Sequence, residues 1–118
     1  MELPPSTPDR RWSFESARAM LPEVRDRTAQ AVPAVEKLLT EREALDAGSE
    51  DRAQIEARIR VQVGRWARSM EALGLEVKGL WLVDFDNGSG YYCWKWPEED
   101  LAYFHGYEEG FPGRVRIQ

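Results

Sequence analysis

The chain has 118 residues, 42% of them hydrophobic, and a formal net charge of −5, which fits one globular domain and excludes global disorder or two separate cores. One cysteine, Cys93, cannot form an intrachain disulfide, so a reducing, cytoplasmic location is expected. The first residues lack the basic and apolar regions of a signal peptide, and no apolar run approaches the ~18 residues of a membrane span.

The acidic charge is concentrated in the last third of the chain. Residues 1–75 carry 12 basic and 13 acidic groups, whereas residues 76–118 carry 4 and 8. This balance disfavours nucleic-acid binding, which needs a concentrated positive field. Arg58, Arg65 and Arg68 share part of one helical face and form a candidate anion-binding patch. The alternative for these arginines is a solvated face paired with glutamates.

The N-terminal half predicts a mobile arm followed by helices. Residues 1–11 contain three prolines and form the arm, and residues 12–118 form a single domain. Ser13 is a plausible N-cap for a short helix over residues 14–20. Pro22 then predicts a bend and the start of a long helix that ends near Leu45. Pro33 predicts a kink within that helix.

Two apolar stripes predict an antiparallel helical hairpin over residues 14–73. The first follows the 3.5-residue spacing of a coiled-coil seam: Leu21, Val24, Thr28, Ala31, Val35, Leu38, Arg42 and Leu45. Gly48 and Ser49 predict a helix end and a new N-cap. The second stripe consists of Ile55, Ile59, Gln62, Trp66, Met70 and Leu73, and Gly74 ends the helix.

The remaining residues predict a three-stranded antiparallel meander over residues 81–107 and an irregular tail over 108–118. Ten of the thirteen aromatic residues lie between Trp81 and Phe111. Asn87-Gly88 is a strong hairpin signal. The predicted fold class is therefore α+β, with a bent antiparallel helical hairpin packed on the meander.

Strand register decides which side chains can meet, because side chains alternate across a strand. A four-residue loop at residues 97–100 pairs Cys93 with Phe104 and Tyr92 with His105. This register predicts that His105 faces the helices, away from Cys93. The opposite, uncovered face then shows Leu82, Asp84, Cys93, Lys95, Ala102 and Phe104. The first strand, residues 81–86, is expected to be a sheet edge.

Several segments resemble a bacterial domain-of-unknown-function family, number 2203. They are Ser13–Ala17, Met20–Pro22, Leu75–Lys78, Leu82–Phe85, Cys93–Lys95, Ala102–His105 and Gly110–Arg114. The resemblance covers nearly the whole chain beyond the arm and implies a small bacterial cytoplasmic protein. It implies no reaction, cofactor or catalytic residue. The family often carries an acidic residue directly after the histidine, where this chain has Gly106.

The candidate site residues also lie in the last third. His105 with Glu108 or Glu109, joined by Cys93 or Asp84, supplies metal donors, although one His and one Cys do not complete the common zinc sets. The alternative is a core-edge histidine bonded to a backbone carbonyl or to Arg114. The predicted register argues against a Cys–His nucleophile, which leaves Cys93 as a small buried thiol.

No residue spacing specifies a reaction or a cofactor, so two functions are carried forward. The first is a non-catalytic protein-interaction or self-assembly module, a homodimer whose interface includes Leu82, Phe104 and Lys95 on the uncovered face. The second is a small-ligand or metal-binding protein, possibly an enzyme, centred on His105 and nearby carboxylates. Convergence or separation of Asp84, Cys93, His105 and Glu108 in the structure discriminates between them.

Overall fold

A computed structural model describes residues 11–118. The predicted N-terminal arm lies outside the described residues except for Arg11, whose guanidinium is 3.1 Å from the carboxylate of Asp86. The elements are helix α1 (Phe14–Glu43), helix α2 (Glu50–Ala72), strands β1 (Glu76–Gly79), β2 (Leu82–Asp86), β3 (Tyr91–Lys95) and β4 (Tyr103–His105), a 3-10 turn (Phe111–Gly113) and strand β5 (Val115–Arg116). No helix in the described part of the chain is long and apolar enough to cross a membrane.

Helix α1 is continuous, so the predicted break at Pro22 is wrong. Ser13 caps the helix as expected: its side chain accepts the Ser16 N–H, and the Ser16 side chain accepts the Ser13 N–H in return. Pro22 and Pro33 both lie inside the helix on its exposed face. The carbonyls that their missing N–H groups leave unpaired can therefore be hydrated, which lets the helix continue. The kink at Pro33 and coiled-coil packing stay predictions.

The two helices run antiparallel, as their cross-contacts show. Arg27 donates to the Ser69 carbonyl at 3.1 Å, and Arg52 donates to the Leu45 carbonyl at 3.0 Å. Thr28, which interrupts the apolar seam, is buried and fully bonded. Its hydroxyl donates to the Val24 carbonyl and accepts the Trp66 indole N–H, each at 2.8 Å. A polar residue at this position therefore leaves no hydrogen-bonding group unsatisfied.

The sheet has five strands rather than three, in the antiparallel order β1-β2-β3-β4-β5. The sequence signal missed β1 because it is short and contains Glu76 and Lys78, and it missed β5 because only two residues follow the glycine- and proline-rich turn. Strand β1 pairs with β2, so the predicted edge at residues 81–86 is interior. The edges are β1 and β5.

One face of the sheet packs on the helices and forms the core. Trp94, Val83 and Phe85 are completely buried there. The Trp66 and Trp81 rings meet edge to face with centroids 4.9 Å apart, an arrangement that favours aromatic pairs. Trp12, which the sequence pattern did not select, is 2% exposed. Its position immediately before α1 places one more aromatic ring in the core.

The predicted register of the third hairpin strand is wrong by one residue. Cys93 pairs with Tyr103 rather than Phe104, and Tyr91 rather than Tyr92 pairs with His105. The connection between β3 and β4 begins earlier than expected. The Glu98 N–H donates to the Lys95 carbonyl at 2.8 Å, and the Glu98 carboxylate accepts the Lys95 N–H at 2.9 Å. A shift of one residue moves every side chain of a strand to the other face.

Because of this one-residue shift, the side chains on both faces of the sheet differ from the predicted ones. His105 joins Asp84 and Cys93 on the face away from the helices, as the pairings of the three strands show. Phe104 moves to the helix-facing side, opposite Tyr92. Leu82 and Lys95 pair with each other on the other face. The candidate interface residues Leu82, Lys95 and Phe104 therefore do not form one continuous patch.

Candidate functional site

Three potential metal donors meet on the sheet face away from the helices. Asp84 lies on β2, Cys93 is its direct partner on β3, and His105 ends β4. One donor atom of each residue lies within 4.8 Å of the other two, and all three residues are buried. We call these residues the donor trio.

The imidazole of His105 faces an acceptor at each ring nitrogen. Nδ1 is 2.7 Å from the Gly106 carbonyl, and Nε2 is 3.0 Å from Oδ2 of Asp84. Since a carbonyl oxygen can only accept, Nδ1 carries the proton that bonds to it. A neutral ring then presents a lone pair at Nε2 towards the carboxylate. A second proton or a cation is needed to make that contact favourable.

The carboxylate of Asp84 is 1% exposed, and its two oxygens have different surroundings. Oδ2 lies 3.2 Å from the ammonium of Lys78 as well as against His105. Oδ1 is buried without a hydrogen-bond partner among the described residues. Such an atom is rare in folded proteins, because a buried polar group without a partner retains the cost of losing its water.

The Cys93 thiol is held in its neutral form. Burial and the neighbouring Asp84 carboxylate raise the pKa of Cys93 to about 12, and Arg114 opposes this shift only in part. The Arg114 guanidinium is 3.9 Å from the sulfur, but it also pairs with Glu98 at 2.9 Å. Both nitrogens of His105 are engaged elsewhere. This geometry does not activate Cys93 as a nucleophile.

Lys78 connects the donor trio to a second polar group. Its ammonium lies 3.6 Å from Glu76 and 3.9 Å from the centre of the Tyr91 ring, and the Tyr91 hydroxyl donates to Glu76 at 3.0 Å. Burial lowers the pKa of Lys78, but Asp84, Tyr91 and Glu76 together outweigh it and raise the pKa above 10.5. Lys78 is therefore charged at neutral pH.

The donor trio borders a cavity of about 270 Å³. Besides the trio, its walls combine one cation, apolar or aromatic side chains and one glycine: Lys78, Leu82, Tyr107, Phe111 and Gly110. Tyr107 is anchored by its hydroxyl, which donates to Asp86 at 2.7 Å. Lys78 and Tyr107 were not among the site residues predicted from the sequence. The alternation of Glu76, Val77 and Lys78 is the signal that would have placed Lys78 on a strand.

The two other predicted acidic donors lie apart from the donor trio. Glu108 and Glu109 are exposed in the turn after β4. A carboxylate oxygen of Glu109 accepts the Gly106 N–H at 2.6 Å, so it stabilises this turn. Both glutamates lie outside the group of donors that converges on Asp84. Of the carboxylates proposed beside His105, Asp84 is the one that lies against it among the described residues.

The candidate anion patch lies elsewhere, on helix α2. Arg58, Arg65 and Arg68 are all exposed, and none of them forms a salt bridge with another described residue. The Arg58 side chain borders shallow surface recesses with Ala57 and Gln54. The patch is therefore separate from the donor trio, and anion binding there stays a prediction.

Comparison with known proteins identifies a family without assigning an activity. Searches of curated proteins and of solved structures give no significant match. A family model described as an uncharacterized conserved protein, DUF2203, matches residues 10–117. The matched range contains both helices, all five strands and the donor trio. The chain therefore belongs to the DUF2203 family of uncharacterized conserved proteins.

Proposed function

We propose that this protein binds a divalent transition-metal ion of the zinc class through Asp84, Cys93 and His105. The observation that carries the proposal is the meeting of three different donor types around a buried carboxylate oxygen that has no hydrogen-bond partner among the described residues. Nitrogen, sulfur and oxygen donors together suit zinc, iron or cobalt rather than magnesium or calcium, which prefer oxygen alone.

The charges at the site are compatible with such an ion. Zinc-class ions bind the thiolate, so binding displaces the proton of Cys93 and places a cation where the metal-free site has a neutral thiol. His105 already donates Nδ1–H to a backbone carbonyl, which leaves Nε2 as the ligand atom. Lys78 is the competing cation at Asp84, so metal affinity depends on how far its ammonium withdraws. The reducing cytoplasm expected from the single cysteine keeps that thiol available.

Elemental analysis of protein purified without a histidine tag tests the proposal directly. We expect about one equivalent of zinc, iron or cobalt. Cobalt added to metal-free protein should produce a thiolate-to-cobalt charge-transfer band, which Cys93→Ser and His105→Gln should remove. Glu108→Gln, a nearby exposed glutamate outside the trio, is the matched control and should keep the band. Absence of both native metal and the cobalt band in folded protein would refute the proposal.

Self-assembly is a second candidate, supported by the edges of the sheet. Strand β5 pairs only with β4 and ends the sheet, and Val115 on it is 55% exposed. An apolar side chain on an open edge favours pairing with another strand. A homodimer or another protein partner is therefore compatible with metal binding.

A further inference from the structure

The donor trio supplies three ligands, whereas zinc-class ions usually take four. No fourth histidine, cysteine, aspartate or glutamate in the described part of the chain joins Asp84, Cys93 and His105. All three line the cavity of about 270 Å³. A site with three protein ligands beside a cavity is the arrangement in which the fourth position takes water or an external ligand.

The positive charge of Lys78 favours a negatively charged ligand at the fourth position. Its side chain is 35% exposed, lines the cavity and reaches Asp84 Oδ2 at 3.2 Å. A metal ion bound to Asp84 takes over much of the carboxylate's charge, which frees N–H donors of the ammonium for a new acceptor. The other nearby cation, Arg114, is paired with Glu98 and covers the Phe111 ring at 4.2 Å. Lys78 is therefore the cation that an incoming ligand meets.

We propose, resting on the metal site above, that the fourth position binds the carboxylate of a small organic acid, with one oxygen on the metal and the other bonded to Lys78. The cavity favours an organic acid over inorganic phosphate because two aromatic residues, Tyr107 and Phe111, line it, and both are partly exposed to solvent. These rings can cover an apolar body. The volume falls just below the usual ~300–1,000 Å³ of small-molecule pockets, so the ligand is small.

The test uses the full-length protein loaded with cobalt, whose visible spectrum reports its ligands. Benzoate, acetate and phosphate are titrated separately at saturating cobalt. We expect both carboxylates to change the spectrum, benzoate at the lowest concentration. Lys78→Met should weaken benzoate binding about tenfold, by removing one charge-assisted hydrogen bond. Lys95→Met is the matched control, since Lys95 lies on the same face but bonds to the Leu80 carbonyl at 3.3 Å.

The outcomes separate this inference from the proposed function. If cobalt does not bind, both the metal site and the organic-acid site are refuted. If cobalt binds and neither carboxylate changes its spectrum, the metal site stands and the organic-acid site is refuted. Tighter binding of phosphate than of benzoate would overturn the assignment of an organic acid. Benzoate affinity unchanged in Lys78→Met, or equally weakened in Lys95→Met, would overturn the role of Lys78.

Discussion

Asp84 is the residue on which the site depends, because two other groups share one of its oxygens. His105 and Lys78 both lie against Oδ2, while Oδ1 is left for another partner. Removing one member of such a buried pair costs more than the pair contributes, since an uncompensated charge stays behind. Substitutions at Asp84 or at its buried partner His105 therefore test folding as well as metal binding, and those at Cys93 are the cleaner test.

Cys93 should react slowly with a thiol reagent in the folded, metal-free protein and rapidly after denaturation. The side chain is completely buried, and its pKa of about 12 leaves almost no thiolate at neutral pH. Labelling followed by mass spectrometry measures both rates. Rapid labelling of the folded protein would contradict the buried thiol, and labelling of urea-unfolded protein is the control.

Alkaline pH should destabilise the metal-free protein through the same residue. The pKa of Cys93 is raised from 9.0 in the reference state to about 12 in the fold, so the unfolded chain releases this proton first. Stability is fully present below pH ~9 and is lost progressively towards pH ~12, on the order of 1 kcal/mol by pH ~10. Urea unfolding of the wild type and of Cys93→Ala, below pH ~9 and at pH ~10, measures how much stability each protein loses. An equal loss in Cys93→Ala would exclude Cys93 as the cause.

Among the elements, the contact between α1, α2 and the sheet depends on Trp66. Trp66→Ala should lower the free energy of unfolding by roughly 3–5 kcal/mol, because it leaves a cavity beside Trp81 and removes a donor from Thr28. Trp66→Phe retains most of the packing and loses mainly the hydrogen bond, so it should cost less. Denaturant unfolding measures both. A near-wild-type value for Trp66→Ala would contradict this packing.

The pairing of β3 with β4 can be tested at Gly90. A Cβ atom at Gly90 would lie 2.6 Å from the His105 carbonyl oxygen and 3.1 Å from the Phe104 ring. Gly90→Ala should therefore destabilise the fold by roughly 1–3 kcal/mol and weaken metal binding, because it displaces the strand that carries His105. Gly48→Ala is the control for strain without a clash: its positive φ of 82° opposes alanine, but no atom lies within 4 Å of the added Cβ, so cobalt affinity should stay unchanged. Unchanged cobalt affinity in Gly90→Ala would contradict the observed register.

Sequence patterns predicted the elements better than their pairing. The cap at Ser13, the burial of Leu21 and Val24, and the first β-hairpin at Asn87-Gly88 follow from local periodicity and turn chemistry, and the structure confirms them. The position of His105 depends on a hydrogen bond between Glu98 and Lys95, which closes the next connection one residue early. No periodic pattern encodes that contact. Asp84, Cys93 and His105 therefore come together although the predicted register placed His105 on the opposite face, and their binding of a metal stays a prediction.

Self-association of the whole molecule stays a prediction, but the candidate interface moves from the face of the sheet to its edges. Phe104 lies on the helix-facing side of the sheet, so it does not share a patch with Leu82 and Lys95. The open edges are β1 and β5. We expect a dimer at micromolar concentration that Val115→Lys weakens, because a lysine on an edge strand opposes pairing. Sedimentation equilibrium measures the mass of both proteins. A monomer throughout that range in the wild type would remove the self-assembly candidate.

The donor trio lies on three consecutive strands, with Asp84 and Cys93 nine positions apart and Cys93 and His105 twelve apart. An ion held by all three residues would link strands β2, β3 and β4. The loops that it closes are short, so their entropic cost is small. The ion would thus cross-link neighbouring strands of the sheet. Its binding free energy would add to the cohesion of the sheet, and chelation of the metal would lower the unfolding temperature before any ligand is considered.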